Sequence, residues 1–161
     1  MDDLYNINEI FEIAKQIEKN GSDFYHKAAE VNGDYKNFLI EIAHQEEDHY
    51  QIFNNMQKEM SGKQEEDMVD VQDEAHRFLR AIASEIVFKN KERESGAAPV
   101  FKSIRDLFET ALGKEKDSII YYMGIREIVP ASFGKDKIDN IILEEKRHIT
   151  WLKERFGKYM K

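Results

Sequence analysis

Two stretches of this chain interrupt an amphipathic helical pattern in the same way, and any fold must accommodate the interruption. Read three and four residues at a time, one stretch gives the stripe Leu39, Ile42, Glu46, His49, Phe53 and Met56, so a carboxylate and an imidazole occupy core positions. A second stripe, Ile138, Ile141, Glu145, His148 and Leu152, matches it at an offset of 99 residues. Another helical stripe runs ahead of each: Ile7, Phe11, Ala14, Glu18, Gly21, Tyr25 and Ala28, then Ile104, Phe108, Ala111, Glu115, Ser118, Tyr122 and Ile125, related by an offset of 97. Polar interruptions fall on polar interruptions. One Glu-x-x-His arises readily by chance, but two on core stripes, each following a Glu-x6-Tyr helix, specify two related helical hairpins that face each other.

Local signals set the boundaries. The first helix should start at Ile7 behind the capping-box pattern Asn6-Ile7-Asn8-Glu9 and run to about Glu30. "VNGD" breaks it, and Asp34 is the expected N-cap of a second helix reaching about Glu59. Ser103-Ile104-Arg105-Asp106 opens the third, which Pro130 and Gly134 stop, and the fourth should span about Lys137 to Gly157. The short links make each pair antiparallel. Residues 60 to 100 are different, with polar runs flanking a shorter amphipathic piece marked by Ala75, Leu79, Ile82 and Ile86. Such a length can carry the chain along the outside of a bundle, leaving the second and third helices parallel. The expected architecture is all-α: a four-helix bundle of two antiparallel hairpins joined by a long crossover with a short extra helix, one domain over residues 1–161.

Composition limits the chemistry. A formal net charge of −8 disfavours nucleic acid as a partner, because phosphate binding needs clustered Lys and Arg. The start, MDDLYNINEI, has no apolar run behind a basic segment, and no stretch approaches a membrane span, so the cytoplasm is the expected compartment. With no cysteine, thiol catalysis, thiolate zinc sites and cysteine-ligated iron–sulfur centres are excluded for these residues. Any metal must be held by carboxylates, imidazoles or backbone.

The bundle interior would therefore collect Glu18, Glu46, Glu115 and Glu145 with His49 and His148. Removing each carboxylate from water costs several kcal/mol, and no Lys or Arg lies on the four stripes to offset it. Two divalent cations would balance the four negative charges. Glu and His three residues apart point the same way, so each hairpin offers an oxygen–nitrogen pair to one metal, and carboxylates from facing helices can bridge both ions. Small residues beside them, Ala14, Ala111, Gly21 and Ser118, leave room for metal and bound oxygen. Tyr25 and Tyr122 stay on the core face and are expected to hydrogen-bond a ligating carboxylate from outside the ligand set. Glu47, Asp48, Glu144, His26, His44 and His76 lie off the stripes and read as solvated surface without a role.

Through "IEKNGSDFY", "HQEEDHYQIF", "GKEKDSIIYY" and "EEKRHITWL", the chain resembles the ferritin-like superfamily and, within it, the helical domain of rubrerythrins. The resemblance implies Glu18 and Glu115 as carboxylates of the first and third helices, Glu46 and Glu145 as bridges, and His49 and His148 as nitrogen ligands. It also implies two irons (manganese or zinc being alternatives) that reduce hydrogen peroxide or dioxygen in a protein commonly dimeric. Rubrerythrins carry a further glutamate where this chain has Ser118, and its six-residue set is closer to the symmetric one of bacterioferritins. Without cysteines for a rubredoxin-like iron domain, electrons would come from a separate donor protein.

These readings lead to three expectations. The first is an oxidoreductase whose reduced metal pair delivers two electrons to peroxide or dioxygen. The second is iron handling, with ferroxidase activity. The third is a bundle whose two metals are structural and undergo no redox turnover.

Overall fold

The computed structural model describes residues 7–61, 74–94 and 101–160, with side chains in the second segment described through 86 and at 89. Among the described residues five α-helices follow in order: α1 (Ile7–Val31), α2 (Lys36–Met60), α3 (Glu74–Glu94), α4 (Ile104–Ile128) and α5 (Lys135–Phe156). The duplicated stripes face inward along α1, α2, α4 and α5, because each helix has one apolar side to hide and the other three offer it cover.

Pairings across the bundle fix its directions. Lys15 meets Asn54 and Ser22 meets Glu47, so α1 and α2 are antiparallel. Tyr25 meets Glu115 while Tyr122 meets Glu18, so α1 and α4 are antiparallel as well. His49 with Glu144 and His148 with Gln45 give the same relation for α2 and α5. The second and third bundle helices, α2 and α4, therefore run parallel, as the crossover demands.

The helix boundaries carry two corrections. Asp34 does not cap α2: Asn32 Nδ2 donates to Ala28 O at 2.9 Å, Tyr35 N donates to Asn32 O at 3.0 Å, and the resulting 3₁₀ turn takes in Gly33–Tyr35 before α2 begins. Tyr35 holds that turn by packing its ring 4.6 Å from that of Phe156. The last helix begins at Lys135, ahead of the expected Lys137, because Gly134 adopts φ 100° and its carbonyl accepts from Lys137 N and Ile138 N. Ser103 does cap α4, accepting from Asp106 N at 3.1 Å, and Val129 turns extended before Pro130 as the proline requires. The Asn6 cap lies outside the described residues, as do both flanks of the crossover.

Helix α3 is longer than the short piece expected. It packs against α4, burying Leu79, Ala83 and Ile86, while Ala75 and Ile82 are half-buried. Gly124 lets it approach, since a Cβ there would stand 2.5 Å from Leu79 Cδ2. Among the described residues, no helix is long and apolar enough to cross a membrane.

Buried apolar side chains form two clusters. One is built around Phe11, Phe53, Met56 and Ile141, the other around Phe108, Leu152, Phe156 and Ile42. Between them lies a layer of carboxylates and imidazoles.

Candidate metal centre

All six residues expected as ligands point into that layer. Glu18, His49, Glu145 and His148 are fully buried, and Glu46 and Glu115 nearly so. Two overlapping sets bring ligand atoms within 4.8 Å of one another: Glu18, Glu46, His49 and Glu145, and Glu46, Glu115, Glu145 and His148. Glu46 and Glu145 belong to both sets, the position a bridging carboxylate must hold. The ion-pair partners of these carboxylates are the two imidazoles.

The atoms converge without satisfying one another. His49 Nδ1 lies 2.9 Å from Glu145 Oε1 and 3.5 Å from Glu18 Oε2, yet it makes a hydrogen bond with neither. Glu18 Oε2, Glu46 Oε1 and both oxygens of Glu145 likewise have no hydrogen-bond partner. Each such buried atom costs about 1–3 kcal/mol, too much for five in one layer unless a ligand meets them. Dications would, so the donor set fits a dinuclear metal site.

Both imidazoles turn Nδ1 toward the layer and spend Nε2 on a partner outside it. His148 Nε2 lies 2.8 Å from Gln45 Oε1, which can only accept, so Nε2 carries a proton and Nδ1, 3.2 Å from Glu115 Oε2, is the nitrogen left to face a metal. His49 Nε2 lies 2.5 Å from Glu144 Oε2, with the same result. Glu144, expected as solvated surface, is 40% exposed but serves the buried histidine. Both contacts cross between halves, as do the tyrosine bonds: Tyr25 Oη donates to Glu115 and Tyr122 Oη to Glu18. Burial, then the charge of the accepting glutamate, pushes both phenols well above their ordinary range, so they remain proton donors.

Without cations the layer must hold protons. Burial, then repulsion from neighbouring carboxylates, raises Glu46 and Glu145 well above the usual carboxylate range. Burial alone would lower the histidines, but facing carboxylates outweigh it and push His49 up to about 12 and His148 up to about 9. Burial would also raise Glu115, but His148 holds it below its ordinary value. The raised groups bind more protons folded than unfolded between their two values, so their contribution to stability is lost as pH rises. The melting midpoint of the metal-free protein is therefore expected to fall between about pH 6.5 and pH 9. Bound ions compete with these protons, so stabilisation by added metal should grow over the same range. Melts in chelator and in excess Mn2+ check both signs, and a flat or rising metal-free curve would contradict this protonation scheme.

No family model and no curated protein sequence matches the chain. A solved structure from Thermotoga maritima, described as a ferritin-like diiron-carboxylate protein, superposes with a TM-score of 0.68 over 99% of this chain and 99% of that one, at 23% sequence identity. The fold is ferritin-like. In this ferritin-like bundle a cavity of about 30 Å3 adjoins the layer, lined by Gly21, Tyr25, Glu46, Glu115 and Ser118 together with Lys89. Ser118 Oγ donates to Lys114 O at 2.9 Å and so is turned back onto its own helix.

Gly21 is needed for close approach, because a Cβ there would collide with the Glu46 carboxylate. Gly21→Ala should therefore displace Glu46 and weaken metal binding at least tenfold. In the metal-free protein the helix gains about 1 kcal/mol of propensity, which offsets the repacking. Metal titration alongside chelator-treated melts tests this, and unchanged affinity would show that Glu46 has other room.

Proposed function

We propose that this protein is a di-iron oxidoreductase that reduces hydrogen peroxide or dioxygen at the buried centre, with manganese as an alternative metal. The observation that carries the reading is the pair of overlapping four-residue sets sharing Glu46 and Glu145, with unpartnered oxygen and nitrogen atoms aimed into one layer. Glu18 and His49 would hold one ion, Glu115 and His148 the other, and Glu46 and Glu145 both. When bound in its reduced form, the metal pair supplies two electrons, which with two protons convert hydrogen peroxide to two waters or dioxygen to hydrogen peroxide.

The chain's own residues position and protect this chemistry. Tyr25 and Tyr122 hold protons on Oη and orient Glu115 and Glu18. The cavity has room for one or two water-sized molecules, which suits a small oxidant. The flanking apolar clusters exclude bulk water. A separate protein would supply electrons, since the chain has no cysteine for an iron–sulfur centre. Stopped-flow mixing of the diferrous protein with peroxide is expected to reoxidise it faster than free iron, and equal rates would overturn the proposal.

A second reading, ferroxidase activity in iron handling, is favoured by Ser118, whose back-turned hydroxyl leaves the six-residue set symmetric. Assembly separates the two: a closed shell holding a mineral core supports iron handling, and a dimer with one metal pair per chain supports the oxidoreductase.

A further inference from the structure

Outside the buried layer, three metal-ligating side chains meet on the outer surface of the α1–α2 hairpin. His26 comes from α1, and His44 and Glu47 come from α2 at a spacing of three, which puts both on one side of that helix. One ligand atom from each lies within 4.8 Å of the other two. His26 Nε2 is 2.8 Å from Glu47 Oε1, and the His26 and His44 rings stand 5.9 Å apart at 64°. Ser22, one turn before His26, donates to the same Glu47 oxygen at 3.0 Å and so fixes the direction of the carboxylate.

An ordinary ion pair would need only His26 and Glu47. The third member is what makes a coordination set, and the fold's duplication does not impose it: the corresponding positions in the second half are Met123, Leu143 and Lys146. Two imidazoles and one carboxylate form a three-ligand set for a borderline first-row cation, with the remaining position open to water. Bonds of about 2.0–2.2 Å in a tetrahedral site set ligand atoms about 3.3 Å apart, so the His26–Glu47 contact must open by roughly 0.5 Å. The side chains of His26 and Glu47 are 40% and 52% exposed and have room to do so.

We propose that His26, His44 and Glu47 form a separate surface site for one divalent cation of the zinc, cobalt or nickel type. The site is independent of the buried centre and of the activity proposed for it. Its imidazole content selects against Mn2+ and Mg2+, and its exposure makes its ion exchange faster than ions in the closed layer.

The test is titration of the full chain with Zn2+, read by calorimetry and by the histidine ring resonances. The unmodified protein should bind one more equivalent than His26→Ala or His44→Ala, in which binding at this site weakens at least tenfold. A Glu18→Ala/Glu145→Ala variant should keep the surface equivalent, because none of its three ligands is changed. If that variant and the unmodified chain bind the same amount of Zn2+, the buried-centre reading fails while this site stands. If His26→Ala and His44→Ala bind as much Zn2+ as tightly as the unmodified chain, or the His26 and His44 resonances do not move, the surface site does not exist.

Discussion

Glu145→Gln is expected to leave the metal-free protein almost as stable as before and to abolish its stabilisation by metal. Burial, then the charges of Glu46, Glu115 and Glu18, holds Glu145 well above the usual carboxylate range, so without metal the layer favours its protonated form. An amide closely matches the protonated acid in shape, and the change in metal-free stability should stay within about 1 kcal/mol. The loaded protein behaves differently, because both proposed ions lose a bridging oxygen whose negative charge the amide cannot supply. A ligand present at 100 times its Kd stabilises the folded state by about 2.7 kcal/mol, and each kcal/mol raises the melting midpoint of a chain this size by about 2–4 °C. Two ions should therefore raise the unmodified protein's midpoint by roughly 10–20 °C, and the variant's by little. Paired melts with chelator and with Mn2+ measure this directly. Retention of the full shift by the variant would mean that Glu145 is not shared between two ions.

What sequence could and could not show follows from the reach of helical periodicity. The pattern has a period of 3.6, so it places Glu18, Glu46, His49, Glu115, Glu145 and His148 on inward faces, and the duplication shows that the six belong together. It does not show which residue on one helix lies opposite which on another. Tyr25 and Tyr122 were legible as inward-facing, but their reach into the opposite half depends on how α1 and α4 are set against each other. The same blindness hid the surface trio, in which His26 must come level with His44 and Glu47 across the α1–α2 contact. Asp34 misled because a capping residue and a turn residue look alike in sequence, and Asn32, not Asp34, organises that turn. Glu144 was misplaced for another reason. It lies one step off the stripe, where most side chains are solvated, and only the position of His49 on α2 draws it inward. One signal was available: the offset of 99 that relates His49 to His148 also relates Gln45 to Glu144.

That last pair is expected to make the two metal positions unequal. Each histidine gives its Nε2 proton to a residue of the other half, His49 to the carboxylate of Glu144 at 2.5 Å and His148 to the amide oxygen of Gln45 at 2.8 Å. A charged acceptor draws the proton more strongly and makes the opposite ring nitrogen a better electron donor, so the ion proposed at Glu18 and His49 should bind more tightly than its neighbour. Changes to such outer partners typically alter metal affinity about 10- to 100-fold, and with Glu144 40% exposed the lower end of that range is expected. Stepwise titration with Mn2+, followed by electron paramagnetic resonance, should show one ion bound ahead of the second. Glu144→Gln should bring the two affinities together by weakening the tighter, and Gln45→Glu should bring them together by strengthening the weaker. These opposite routes to one outcome distinguish the asymmetry from general damage to the layer, which would weaken both ions in both variants. If neither variant alters the ratio of the two affinities, the inequality must instead arise from the metal's own coordination preferences, and Glu144 serves only to hold the His49 tautomer.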